Sequence, residues 1–359
     1  MAAFNRWIHV PEKSNITLDE QKQNTSEKLE DIYLKVLNVT SWHQWVKESG
    51  NEGIKVFTSI TSMITLIGLV ANLTTLVILI SNGRKLPLIG RILLTHQATV
   101  DSFVCLMAIG IYSQPFMWMT KQTTFDFLLC QVWHGQAIYW GAVLLSVWNI
   151  VFISVERFML INYPIRHRNI RQVDVWMCFA IIYTLSILFL IPAYLFVKYD
   201  FQTGGCLDQY YIDGDEFKTF MSFYGVFWFL VVYAIPIVVL ITLHTMMKLK
   251  LRERQKQRSE SYQRKILVLD NADHQITKTV IIIAVVFMCS LGWDAFYCLF
   301  GFTGFIQYEF NTPLQITGVF LATFDSCSTP FIYAASMPLF RSAAKKTFQC
   351  KNNSNVSYL

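Results

Sequence analysis

The chain has 359 residues, 53% of them hydrophobic, 15% aromatic and only 15% charged, where a soluble domain carries about 25% charge. Mean hydropathy is +0.38 and formal net charge is +6. Such a chain is too poor in charge to be disordered, a nucleic-acid module or an ordinary cytosolic enzyme.

Residues 1–54 are polar, and their start, MAAFNRWIHVPEK, lacks the apolar run of a signal peptide. Asn15, Asn24 and Asn38 each have Ser or Thr two positions on, the pattern of an N-glycosylation acceptor. The expectation is an extracellular, glycosylated tail.

Seven stretches then run almost free of Asp, Glu, Lys and Arg: 56–83, 92–120, 127–155, 175–197, 219–247, 279–308 and 310–340. Four hold no charge, and the others hold one aspartate each, Asp101, Asp294 and Asp325. About 20 apolar residues in helical rise cross a bilayer's hydrocarbon core. In lipid the backbone must satisfy itself, which predicts helices rather than the roughly ten-residue alternation of a β-barrel. With the N-terminus outside, the inner loops and tail hold 20 basic and 6 acidic residues, and the outer segments 10 and 15. That asymmetry sets the orientation. The run KLKLRERQKQRSESYQRK at 248–265 reads as a cytoplasmic helix extension. The predicted fold is an all-α membrane protein. It is a seven-transmembrane helix bundle with the N-terminus outside and a short amphipathic helix (PLFRSAAKKTF) after the seventh span. The predicted division is an extracellular tail at 1–54, a seven-span domain at 55–338 and a cytoplasmic helix and tail at 339–359.

Particular residues resemble the rhodopsin-like (class A) G-protein-coupled receptors span by span. Gly68-Leu69-Val70-Ala71-Asn72 is similar to GxxxN, Ala98-Thr99-Val100-Asp101 to AxxD, and Glu156-Arg157-Phe158 to E/DRY with Phe for Tyr. The fifth span carries Pro236, and the seventh carries Thr329-Pro330-Phe331-Ile332-Tyr333 followed by Phe340, similar to NPxxY(x)F. The resemblance covers roughly 55–348.

It implies a plasma-membrane, multi-pass receptor that binds an extracellular ligand and activates a heterotrimeric G protein, with no enzyme activity and no nucleic-acid partner. Glu156, Arg157, Pro330 and Tyr333 would form the coupling switch. Asn72, Asp101, Ser146, Asp325 and Thr329 would form a polar core that takes an allosteric sodium ion. Thr329 replaces the usual Asn, and the second acid, Asp325, leaves open whether the pair holds a cation or shares a proton. Cys130, expected to open the third span, and Cys206, in the second outer loop, would form the family's extracellular disulfide. Their spacing departs from the pattern: Cys130 precedes Arg157 by 27 residues, two more than usual. Cys350 is either an S-palmitoylation site or a free thiol. Ser357-Tyr358-Leu359 resembles a class I PDZ ligand.

The ligand side departs more from the family. The third span reads Ala137-Ile138-Tyr139-Trp140 where amine receptors have an aspartate, and 310–340 has no lysine for a retinal Schiff base. The sixth span reads Phe287-Met288-Cys289-Ser290-Leu291-Gly292-Trp293-Asp294, without the Trp and Pro of FxxCWxP at their places. Asp294 is an intramembrane acid, facing either a ligand pocket or a neighbouring helix. Asp200, Asp208, Asp213, Asp215 and Glu216 make the second outer loop acidic, which favours a cationic ligand. The expected ligand is a basic or amidated neuropeptide at Tyr139, Trp140, Trp293, Asp294 and Tyr297. The alternatives are a small-molecule receptor and, in another class, a channel or transporter, for which discontinuous helices or repeats would speak.

Overall fold

Hydrocarbon offers a backbone no water, so each apolar stretch closes its own hydrogen bonds as a helix. The computed structural model describes residues 52–82, 87–113, 123–130, 135–192, 197–200, 205–208, 215–257, 264–306, 308, 312–336 and 338–349. The three sequons, Cys350 and the C-terminal tripeptide lie outside the described residues.

The first and second spans are α1 (Glu52–Asn82) and α2 (Leu88–Ser113). A short helix α3 (Thr123–Leu129) precedes the third span, α4 (Ala137–Asn162). The five-residue α5 (Pro164–Arg168) leads to the fourth span, α6 (Gln172–Leu190). A two-stranded antiparallel hairpin follows, β1 (Val197–Asp200) with β2 (Gly205–Asp208), in which Tyr199 faces Cys206. The fifth span is α7 (Asp215–Phe229), a π-helical segment Leu230–Ala234 and α8 (Ile235–Gln257). The sixth is α9 (Arg264–Phe302) and the seventh α10 (Pro313–Ser336), with α11 (Pro338–Gln349) behind it. Pro330 sits inside α10, and α11 carries the sequence expected for the short amphipathic helix.

Among the described residues six helices are long and apolar enough to cross a membrane. The seventh, α10, is 24 residues long; its Gln315, Thr323, Asp325, Ser326 and Thr329 are all buried, so its polarity points into the protein. Large apolar side chains such as Ile80, Phe223 and Val238 stay exposed on the outside of the bundle, where lipid is the solvent. The third span is the axis of the core, with residues from Ala137 to Ile161 buried along its length.

One boundary differs from expectation. Cys130 does not open the third span, because that helix begins seven residues later at Ala137. Gln136 adopts a left-handed backbone, with φ of 53°, which a continuous right-handed helix cannot contain. This accounts for the long spacing between Cys130 and Arg157. The Gln136 carboxamide oxygen accepts from Gln315 Nε2 at 2.7 Å and so ties the starts of the third and seventh spans together.

Candidate functional site

Four groups of residues lie along the bundle. At the hairpin end, Cys130 and Cys206 form a disulfide with Cα atoms 5.5 Å apart. The bond joins the hairpin to the end of α3. There Asp126 is buried and accepts from the Tyr199 hydroxyl at 3.5 Å. Burial, then the Asp126 carboxylate, raise the Tyr199 phenol above its usual value, which keeps it a donor.

Below the hairpin the expected ligand residues divide. Asp294 is 1% exposed. Its Oδ2 accepts from the Cys298 thiol at 3.6 Å, while Oδ1 has no hydrogen-bond partner among the described residues. That oxygen faces the seventh span, where a β-carbon on Gly318 would stand 3.0 Å from it. The next residue, Val319, accepts through its carbonyl from the Tyr139 hydroxyl at 2.9 Å, and that hydroxyl also pairs with Thr323 Oγ1 at 2.9 Å. Tyr139 and Asp294 therefore meet the same turn of α10 from two sides. Tyr297 packs its ring 5.0 Å from that of Tyr308, one turn beyond Asp294. Trp140 packs edge-on between Tyr139 at 5.0 Å and Trp228 of the fifth span at 6.1 Å, and Trp228 in turn clusters with Phe189 and Tyr224. Trp293 stands outside the group, 44% exposed, with its indole N–H donating to the Leu314 carbonyl at 3.0 Å.

Midway down lies the polar core. Asp101 is fully buried. Its Oδ1 accepts from Ser146 Oγ at 2.8 Å, Ser326 Oγ at 3.0 Å and Gln97 Nε2 at 3.0 Å, and its Oδ2 accepts from the same Gln97 nitrogen at 3.1 Å. Gln97 Nε2 also reaches Ser146 Oγ at 2.6 Å. Asn72 donates to the Gly68 and Ser326 carbonyls, both at 3.0 Å, and Thr329 donates to the Asp325 carbonyl at 3.1 Å. Asn72 Oδ1 and Asp325 Oδ1 have no donor among the described residues. A sodium ion on Asp101, as the resemblance implies, would need open oxygen acceptors there. Those of Asp101 and Ser146 each accept from the Gln97 amide. Gln97, Asn149 and Ser326 are the members that sequence reasoning missed. Gln97 sits one turn before Asp101, and that i, i+4 pairing was the available signal.

At the far end, Glu156 and Arg157 are both buried, with Oε2 and Nε in ion contact at 2.7 Å. His167 of α5 reaches Glu156 Oε1 at 2.9 Å. A side chain at Gly90 would collide with the Arg157 guanidinium, so the glycine in the second span supplies the space the arginine occupies. Arg157 Nη1 has no hydrogen-bond acceptor among the described residues. Tyr333 is buried, its ring 6.1 Å from Phe340 of α11.

A seven-helix membrane bundle with a capping hairpin, a disulfide and a buried Glu–Arg pair at the opposite end has the build of a receptor. The family model described as 7 transmembrane receptor (rhodopsin family) matches residues 71–333; the chain belongs to that family, is a multi-pass plasma-membrane protein and is not an enzyme. It is 24% identical over 308 residues to galanin receptor 2a of Danio rerio, covering 84% of this chain and 80% of that one. Galanin receptor 2b of the same species is 21% identical over 309 residues, covering 84% and 76%.

Proposed function

We propose that this receptor binds a basic or amidated peptide at its extracellular face and activates a heterotrimeric G protein through Arg157. The observation that carries this reading is Asp294, a buried acid with an oxygen that has no hydrogen-bond partner among the described residues. A buried carboxylate oxygen without a donor is costly, and an ammonium or guanidinium group meets that need. The likeness to proteins named galanin receptors supports a peptide ligand, and the acidic second loop would steer a cation inward. The charge asymmetry of the loops supports placing the N-terminus outside. Signalling would pass from Asp294 of the sixth span and Tyr139 of the third, which meet the seventh span, through the polar core to Arg157 at the other end of the third. Docking of Ser357-Tyr358-Leu359 in a PDZ groove belongs to the same proposal. Screening a peptide library against the expressed receptor tests it, with Asp294→Asn beside the native chain. A basic peptide should lose potency on Asp294→Asn at unchanged surface expression, and equal potency removes Asp294 from the site.

A further inference from the structure

Asp101 faces a neighbour that no family motif accounts for. The orientation of the Gln97 carboxamide follows from a chain of fixed groups. Asn149 is buried in the third span, and its Nδ2 donates to the Leu93 carbonyl at 3.0 Å. A carbonyl only accepts, so this end of Asn149 is its nitrogen. The same nitrogen donates to Gln97 Oε1 at 2.7 Å. The oxygen of Gln97 is thereby assigned to Asn149, and its nitrogen is left to face Asp101 and Ser146. Gln97 Nε2 has two hydrogens and three acceptors within reach: both oxygens of Asp101 and the Ser146 hydroxyl. It meets the carboxylate from the side of both oxygens, as a coordinated cation would.

We propose that the Gln97 carboxamide takes the place of a cation at Asp101, so that the polar core of this receptor is closed by its own neutral side chain and its resting bundle does not take up sodium. The arrangement clasps the second span to the third through Gln97–Asn149 and Gln97–Ser146, and to the seventh through Asp101–Ser326. Each of these groups is buried, so nothing in the clasp depends on an ion from the medium. Asn72 Oδ1 and Asp325 Oδ1 have no donor among the described residues, but a cation drawn to them would find Asp101 and Ser146 already bound.

The test is thermal melting of the purified full-length chain in sodium chloride and in choline chloride at equal ionic strength, a readout that requires neither ligand nor G protein. The native chain is expected to melt at the same temperature in both. Gln97→Leu removes the amide and opens Asp101, and its melting temperature should rise in sodium by about 2 °C or more, as binding to the folded state alone produces. Gln97→Glu keeps the shape but replaces the donor with a second carboxylate, and should respond to sodium in the same direction. If one variant folds poorly, the other carries the comparison, and recovery of folded protein by sodium alone counts for the proposal. A sodium-dependent rise in the native chain overturns it, as does a folded variant that ignores sodium.

Discussion

Asp294 and Gly318 lie against each other across the sixth and seventh spans, so closely that a β-carbon on Gly318 would stand 3.0 Å from Asp294 Oδ1 and 3.2 Å from its Cβ. The missing β-carbon leaves that buried carboxylate its room. Gly318→Ala would press a methyl group against the carboxylate and force it to shift by a few tenths of an ångström. The expected outcome is about a tenfold loss of potency for a cationic ligand, with surface expression retained. Because Gly318→Ala and Asp294→Asn act on one contact, the double variant should lose less than the sum of the singles. Dose–response curves for the three variants check this.

The Glu156–Arg157 pair makes a prediction at the opposite end. Removing one partner of a buried ion pair leaves the other charge uncompensated. Glu156→Gln should release Arg157 and raise ligand-free G-protein activation by about fivefold, the change that about 1 kcal/mol brings to a two-state equilibrium. Gly90→Val, which fills the space the guanidinium occupies, should act in the same direction. Arg157→Ala should abolish activation while leaving ligand binding intact. Basal and stimulated nucleotide exchange on the G protein measure all three.

The hairpin depends on its disulfide. Cys130→Ser and Cys206→Ser should each cost about 2–5 kcal/mol of stability and reduce ligand affinity, and the double variant should be no worse than either single. Saturation binding on membranes reads the affinity, and thermal melting reads the stability.

Gly68 of the first span packs against Cys327 of the seventh with no room for a β-carbon. Gly68→Ala should therefore destabilise the receptor by about 1–3 kcal/mol. Adding Cys327→Ala removes the sulfur but leaves the β-carbon and α-carbon of residue 327 at 2.8 and 3.0 Å from the new methyl group, so it should restore only part of that loss in melting temperature.

How far the sequence reaches is uneven along the chain. Charge-free runs locate the helices because the cost of charge in hydrocarbon leaves a gap in the sequence wherever lipid is the solvent. They do not locate helix ends, since water tolerates an apolar loop. The run from 127 therefore hides the break before Ala137, which turns on the left-handed backbone at Gln136. Glu156 and Arg157 pair as sequence neighbours suggest, because a local contact needs no knowledge of packing. Trp293 and Asp294 show the opposite case. Adjacent in the chain, one is 44% exposed and the other 1%, and only the rotation of the sixth span separates them. Gln97 has one partner a single turn away, Asp101, but the two that fix its orientation lie 49 and 52 positions away, a distance closed only when the second and third spans pack.

The π-helical segment Leu230–Ala234 gives the fifth span two phases. A π turn holds an extra residue, and one residue is about 100° of helical rotation. Above it, Tyr224 and Trp228 gather with Phe189 of the fourth span. Below it, Met247 and Leu251 close on Ile161 of the third. Within it, the Tyr233 hydroxyl donates to the Met288 carbonyl of the sixth at 3.2 Å. The five residues work as a differential between two shafts. Straightening the segment to a plain α-helix would turn one half of the fifth span relative to the other by about a quarter of a revolution, and the two sets of neighbours could not both be kept.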